Sequence, residues 1–168
     1  MIVRREEMSI SCSVNEIMTE WDDTLSVGVD IIDKDHQAFF KLPALMQDIK
    51  NSEEKLRGVL IETYINVLRE YIDGHFLREQ YALIAINFED IKEHIDAHDY
   101  FALRVSNIVS EYRNGQIDAI DRLGQFVTNW MTNHIKTMDY KYIGVLSNSN
   151  VDDRPLSFIL QEEIIFVD

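Results

Sequence analysis

The sequence predicts an all-α fold, an antiparallel up-down-up-down four-helix bundle with short non-helical terminal extensions. Three observations carry that prediction. Apolar residues recur at helical spacing through four long segments, short turn signals separate the segments, and the only prolines are Pro43 and Pro155, so long helices are permitted over most of the chain. Four such stripes joined by short connections bury one another best as antiparallel neighbours.

The first helix is expected from Asp33 to about Ile49, with Phe39, Phe40, Leu42, Leu45, Met46 and Ile49 on its apolar side. Pro43 falls inside it, where a proline removes a backbone donor, so a bend is expected there. Asn51-Ser52 before Glu53-Glu54 reads as a turn and a new start, with Ser52 as N-cap and the acids in the first turn. The second helix then continues to about Ile84 on a stripe of Leu56, Val59, Leu60, Tyr64, Val67, Leu68, Tyr71 and Ile72. Gly58 and Gly74 weaken it without ending it, and Gly74, just before His75, permits a close approach by a neighbour. A third helix runs from about Phe88 to Tyr112, where Asn114-Gly115 is a strong stop. The fourth spans about Gln116 to Thr137, its inward stripe being Ile120, Leu123, Phe126, Val127, Trp130, Met131, His134 and Ile135.

The ends have a different pattern. Met8, Ile10, Cys12 and Val14 alternate with serines, and Ile164-Ile165-Phe166-Val167 is rich in strand formers. The readings left open are strand pairing within the chain, a protein partner or self-association through the terminal segments, and frayed ends. The polar stretch Ser147 to Arg154 reads as a linker to a strand-like tail from Leu156 to Val167.

Sixteen Lys plus Arg against thirty Asp plus Glu leave a formal net charge of -14 over 168 residues. That balance argues against DNA, RNA or anionic lipid as a partner, because attraction to phosphate needs concentrated positive charge. No apolar run approaches bilayer length and no signal-peptide core is seen, so no membrane insertion and a cytoplasmic location are expected. The single cysteine, Cys12, excludes an internal disulfide framework.

The five histidines carry the chemical signal. His75 and Glu79 are four apart on the second helix, and His94 and His98 are four apart on the third, so each pair shares one face. His75 is in register with Tyr71 and Ile72, and His98 with Ile91 and Phe101, which turns both pairs inward. His134 and Asp139 are five apart, about 140° around an ideal helix. They meet one centre only if Asp139 lies on a distorted last turn, or they approach different sides of a larger cluster, which favours two metals over one. Adding His36, five imidazoles and two carboxylates form a sensible set for two iron ions, and so many candidate ligands without a nearby thiol suit a structural zinc poorly.

In these residues the sequence resembles the hemerythrin family, in particular its bacterial single-domain members. The match covers Trp21 to Tyr142: Trp21, Val27-Gly28, Asp33-Lys34-Asp35-His36, His75-Phe76-Leu77-Arg78-Glu79, His94-Ile95-Asp96-Ala97-His98, and the run from Trp130 to Asp139. The resemblance implies three regions: an N-terminal extension at 1–20, a di-iron bundle at 21–146, and a linker and tail at 147–168. It also implies that His94, His98 and His134 hold one iron and His36 and His75 the other. Glu79 and Asp139 would bridge the two irons together with a solvent-derived oxo or hydroxo group. The iron with two histidines then keeps an open position, where dioxygen binds reversibly. Phe76, Trp130 and Met131 are the candidate apolar wall of that oxygen pocket. The implied role is oxygen storage, delivery or sensing, not enzymatic turnover. The alternatives are a di-iron oxidase, peroxidase or nitric-oxide-reducing enzyme, and a structural bundle with adventitious metal. Two residues depart from the family pattern: Met131 stands where leucine is usual, and Asp35 where glutamine commonly precedes the first ligand. Methionine is flexible and oxidisable, which bears on the lifetime of the oxygenated form. Asp35 is expected to matter less, unless it alters the field around His36.

Overall fold

In the computed structural model, which describes residues 20–159, the chain is all-helical, with no strand among those residues. Five helices follow in order: α1 Asp30–Phe39, α2 Leu42–Asn51, α3 Glu54–Ala85, α4 Ile91–Arg113 and α5 Ala119–Thr137. α4 packs on α3 and α5, while α1 and α2 each pack on both α3 and α5, so α1 and α2 together form one arm of a four-arm bundle. No helix among the described residues is long and apolar enough to cross a membrane.

The first arm is broken, not merely bent. Pro43 cannot donate to the Phe39 carbonyl and its ring would strike it, so α1 ends at Phe39 and a new helix opens at Leu42, one residue before the proline. Pro43 thereby sits in the first turn of α2, where a missing N–H does no harm. Ser52 is not the N-cap of the next helix. It closes α2, its hydroxyl donating to the Ile49 carbonyl at 2.6 Å, and Glu53 precedes α3 without a side-chain cap.

α3, about 48 Å long at 1.5 Å per residue, is the spine of the bundle. Its buried stripe is Ile61, Ile65, Leu68 and Ile72, at steps of four, three and four, with Tyr64 beside it. Leu56, Val59 and Val67, expected in that stripe, are exposed because they belong to the outer face. Phe101, Val105 and Ile108 of α4 and Leu123, Val127 and Ile135 of α5 meet the α3 stripe in one core. Burying a side chain such as Leu68 is worth roughly 1.5–3 kcal/mol. α4 stops as expected: Gly115 takes φ +95°, and its N–H donates to Tyr112 O at 2.9 Å.

The alternating residues near Met8 and the strand formers at Ile164 to Val167 lie outside the described residues. The beginning of the supposed strand-like tail does not, and residues 156–159 are helical. The supposed linker is likewise folded against the bundle: it forms a 3-10 turn at Asn148–Asn150, and Val151 is buried.

Candidate metal centre

All seven candidate ligands meet inside the bundle. His36 comes from α1, His75 and Glu79 from α3, His94 and His98 from α4, and His134 from α5. The five-residue mismatch between His134 and Asp139 is resolved by a distorted last turn. α5 ends at Thr137, Met138 still donates to His134 O at 2.7 Å, and Asp139 opens a tighter 3-10 turn, Asp139–Tyr142. Asp139 is thereby swung inward until its Oδ1 stands 3.1 Å from His134 Nε2.

The donor atoms fall into two overlapping groups. Glu79, His94, His98 and His134 form one, and His36, His75 and Glu79 the other; within each, the donor atoms lie within 4.8 Å of one another. Glu79 belongs to both. Asp139 also spans them, with Oδ2 at 3.3 Å from His36 Nε2 and Oδ1 at 3.6 Å from His94 Nε2. Every one of the seven is buried.

Two tests of fit favour a cation here. Both nitrogens of His36, Nε2 of His75 and both oxygens of Asp139 are buried without a hydrogen-bond partner, which an interior tolerates poorly unless something else satisfies them. An imidazole nitrogen lies about 2.0–2.1 Å from zinc, a first-row ion, so two rings at right angles on such an ion bring their nitrogens about 3 Å apart. His98 Nε2 and His134 Nε2 are 3.0 Å apart.

The electrostatics agree. Burial would raise the Glu79 carboxyl, but the charge of His75 and hydrogen bonds from His94 and His98 hold it well below its usual range. Asp139 is lowered in the same way, against both burial and the repulsion of Glu79, by His134 and His36. These buried anions act in turn on the rings. Burial alone would lower His36 and His94, yet Asp139 raises the first and Glu79 the second. For His98 burial wins, and its pKa falls to about 3. Two buried carboxylates held ionised side by side are a demanding arrangement without positive charge between them.

Around this inner set, Tyr142 Oη donates to Glu79 Oε1 at 2.5 Å, and the Gln80 amide lies 3.3 Å from His98 Nδ1. Phe76 stacks on His98 at 3.7 Å between ring centres and Trp130 on His134 at 4.2 Å, while Met131 is buried beside them on α5. Phe76 and Trp130 therefore cover mainly the three-histidine group. Phe76 also reaches the other group, 5.9 Å from His75, where it is joined by Phe39, 5.5 Å from His75, and Trp21, 6.5 Å from His36; the sequence singles out neither Phe39 nor Trp21 as wall.

Asp35 is not the minor departure it was expected to be. It is 5% exposed, bonds to the Arg78 guanidinium, accepts from Tyr71 Oη at 3.3 Å and faces His75 Nδ1 at 3.4 Å. Burial pushes its carboxyl up, but His75 and Arg78 more than reverse that. Arg78 and Tyr142 are the functional neighbours that sequence reasoning missed. A signal existed for Arg78, because Tyr71, His75 and Arg78 follow at i, i+4 and i+7 on one helix face. None existed for Tyr142, which lies past the last helix.

A four-arm bundle whose interior gathers five histidines and two carboxylates has the buried donor set that a cation site needs. The family described as Hemerythrin HHE cation binding domain matches residues 27–146, and the chain belongs to the hemerythrin family. It is 28% identical over 126 residues to a myohemerythrin of Riftia pachyptila, covering 75% of this chain and 92% of that one. It is 27% identical over 133 residues to a bacteriohemerythrin of Clostridium acetobutylicum (75% and 99%), and 29% identical over 124 residues to a hemerythrin of Themiste dyscrita (74% and 90%).

Proposed function

We propose that this chain binds dioxygen reversibly at a non-haem di-iron centre, for storage, delivery or sensing. His94, His98 and His134 would hold one iron and His36 and His75 the other, with Glu79 and Asp139 shared between them. The observation that carries this reading is the pair of buried donor groups with Glu79 in common, three histidines on one side and two on the other. Two irons held there would supply the two electrons with which dioxygen is held, and the iron held by two histidines would have one protein ligand fewer than its partner.

The rest is the work of the protein. Tyr142 holds Glu79 by its outer oxygen and so orients the carboxylate that both groups share. Asp35 does the same for His75, because an Nδ1–H facing a carboxylate leaves Nε2 as the donor atom. Phe76, Trp130, Met131, Trp21 and Phe39 surround the rings with apolar surface that keeps water and its protons out, which favours binding and release over oxidation. The histidine-rich donor set supports a carrier over an oxidase, which needs in addition a second substrate and a supply of electrons.

The test is an oxygen titration of the iron-loaded, anaerobically reduced protein. A visible charge-transfer band should appear with dioxygen and disappear on deoxygenation over repeated cycles. Irreversible oxidation on first exposure would refute the carrier, and one zinc per chain would refute the di-iron site.

A further inference from the structure

Behind the two-histidine group lies a set of contacts that binds no metal and of which the functional reading uses only the one between Asp35 and His75. Residues 148–156 return along the bundle and are fastened to it at three points. Asn148 Oδ1 accepts from the Asp30 N–H, at the start of α1, at 2.7 Å. Arg78, only 2% exposed, donates through Nε to Asp152 O at 3.0 Å and through Nη2 to Arg154 O at 2.6 Å. Leu156 lies so close to α3 that a Cβ added at Gly74 would stand 2.7 Å from its own Cβ. The third nitrogen of the same guanidinium, Nη1, bonds to Asp35, whose carboxylate faces His75. Asp35 immediately precedes His36, and Gly74 immediately precedes His75.

We propose that the C-terminal segment is a strap that positions the two-histidine half of the site, with Arg78 as the positioning residue that carries its seating through Asp35 to His75 and His36. This rests on the di-iron reading above. A guanidinium presents its donors in a rigid planar fork, so its place is set jointly by the two strap carbonyls and the α1 carboxylate. If the carbonyls move, the fork moves, and Asp35 with it. Asp35 sets the tautomer and tilt of the His75 ring, and groups in that position ordinarily alter metal affinity about 10–100-fold. The three-histidine group has no link to the strap among these contacts; its outer partners are Gln80, Tyr142, Phe76 and Trp130. The segment therefore has leverage on one ion and not on the other, and that ion is the one to which the functional reading assigns dioxygen. Glycine at 74 has its reason here: α3 does not need it, but the strap does.

The experiment uses the full chain loaded with iron. Release of each ion to a chelator is followed optically, alongside hydrogen exchange over residues 151–159. Gly74→Ala, Arg78→Lys and the double variant Leu156→Glu/Ile159→Glu, Ile159 being buried at the far end of the segment, should each speed loss of one ion of the two about tenfold or more and leave the other at its wild-type rate. Exchange in the segment should rise in the first and third. Freed segments with both ions leaving at wild-type rates, or with both accelerated equally, would overturn the strap. So would a segment still protected in the doubly charged variant, since the seating would not depend on these contacts. Wild-type protein that holds fewer than two irons would defeat the di-iron reading itself, before any variant is compared.

Discussion

Replacing Arg78 by methionine should destabilise the metal-free protein by about 3–5 kcal/mol, the usual cost of leaving one partner of a buried ion pair uncompensated. The figure applies because both partners are buried: Arg78 is 2% exposed and Asp35 5%, and neither can turn to water without leaving the core. The carbonyls of Asp152 and Arg154 also lose their donor, but they sit in a partly exposed segment where water can replace it, so they add little. For a chain of this size the loss corresponds to a fall in Tm of roughly 6–20 °C. The assay is urea denaturation of the metal-free protein, where the midpoint should fall at unchanged slope. Arg78→Met combined with Asp35→Leu should lose distinctly less than the two single changes summed, because the double change removes the charge that the single change strands. A loss under about 1 kcal/mol for Arg78→Met, or strict additivity in the double variant, would refute the argument that this pair is buried and coupled.

Two further outcomes follow from the donor groups and their protons. His36→Ala removes a donor from only one group and should leave about one tightly held ion per chain, whereas Glu79→Gln weakens the residue common to both and should prevent assembly of the pair; metal analysis after gel filtration separates the two cases, and equal stoichiometry would contradict the shared role of Glu79. Metal uptake should release protons at pH 7, because a ligating imidazole must be neutral while Asp139 and Glu79 raise His36 and His94 above the ordinary value of 6.5. The sign is that affinity rises with pH and keeps rising above 6.5, His98 contributing nothing because burial already keeps it neutral there. Proton release measured in weakly buffered solution checks this, and its absence at pH 7 would show that the two rings are not held protonated.

Helix existence was legible wherever an apolar stripe ran unbroken, as from Ile120 to Ile135, since period alone tells α5 which face to bury. It was less legible where two local rules competed. Pro43 allowed either a bend or a break, and the outcome was a break because α2 could use the proline in its first turn. Ser52 allowed either an N-cap or a C-cap, and its hydroxyl bonded backward to Ile49. In α3 an excess of apolar residues left two overlapping stripes, and only packing against α2 and α4 chose Ile61 and Ile65 over Leu56, Val59 and Val67.

For the site, spacing on a helix was enough to pair His75 with Glu79 and His94 with His98, because four residues return to one face by the geometry of the helix itself. The amino-acid order by itself thus determined the class of fold, the donor types and their pairing on α3 and α4, all of which depend on interactions within a turn or two of chain. The tertiary structure alone decided that Asp139 swings back onto His36 and His134, that Tyr142 holds Glu79, and that Arg78 joins Asp35 to the carbonyls of Asp152 and Arg154. Those contacts join residues far apart in the chain or past the end of a helix, where no local period constrains direction, and they exist only once four arms have packed and closed the interior to water.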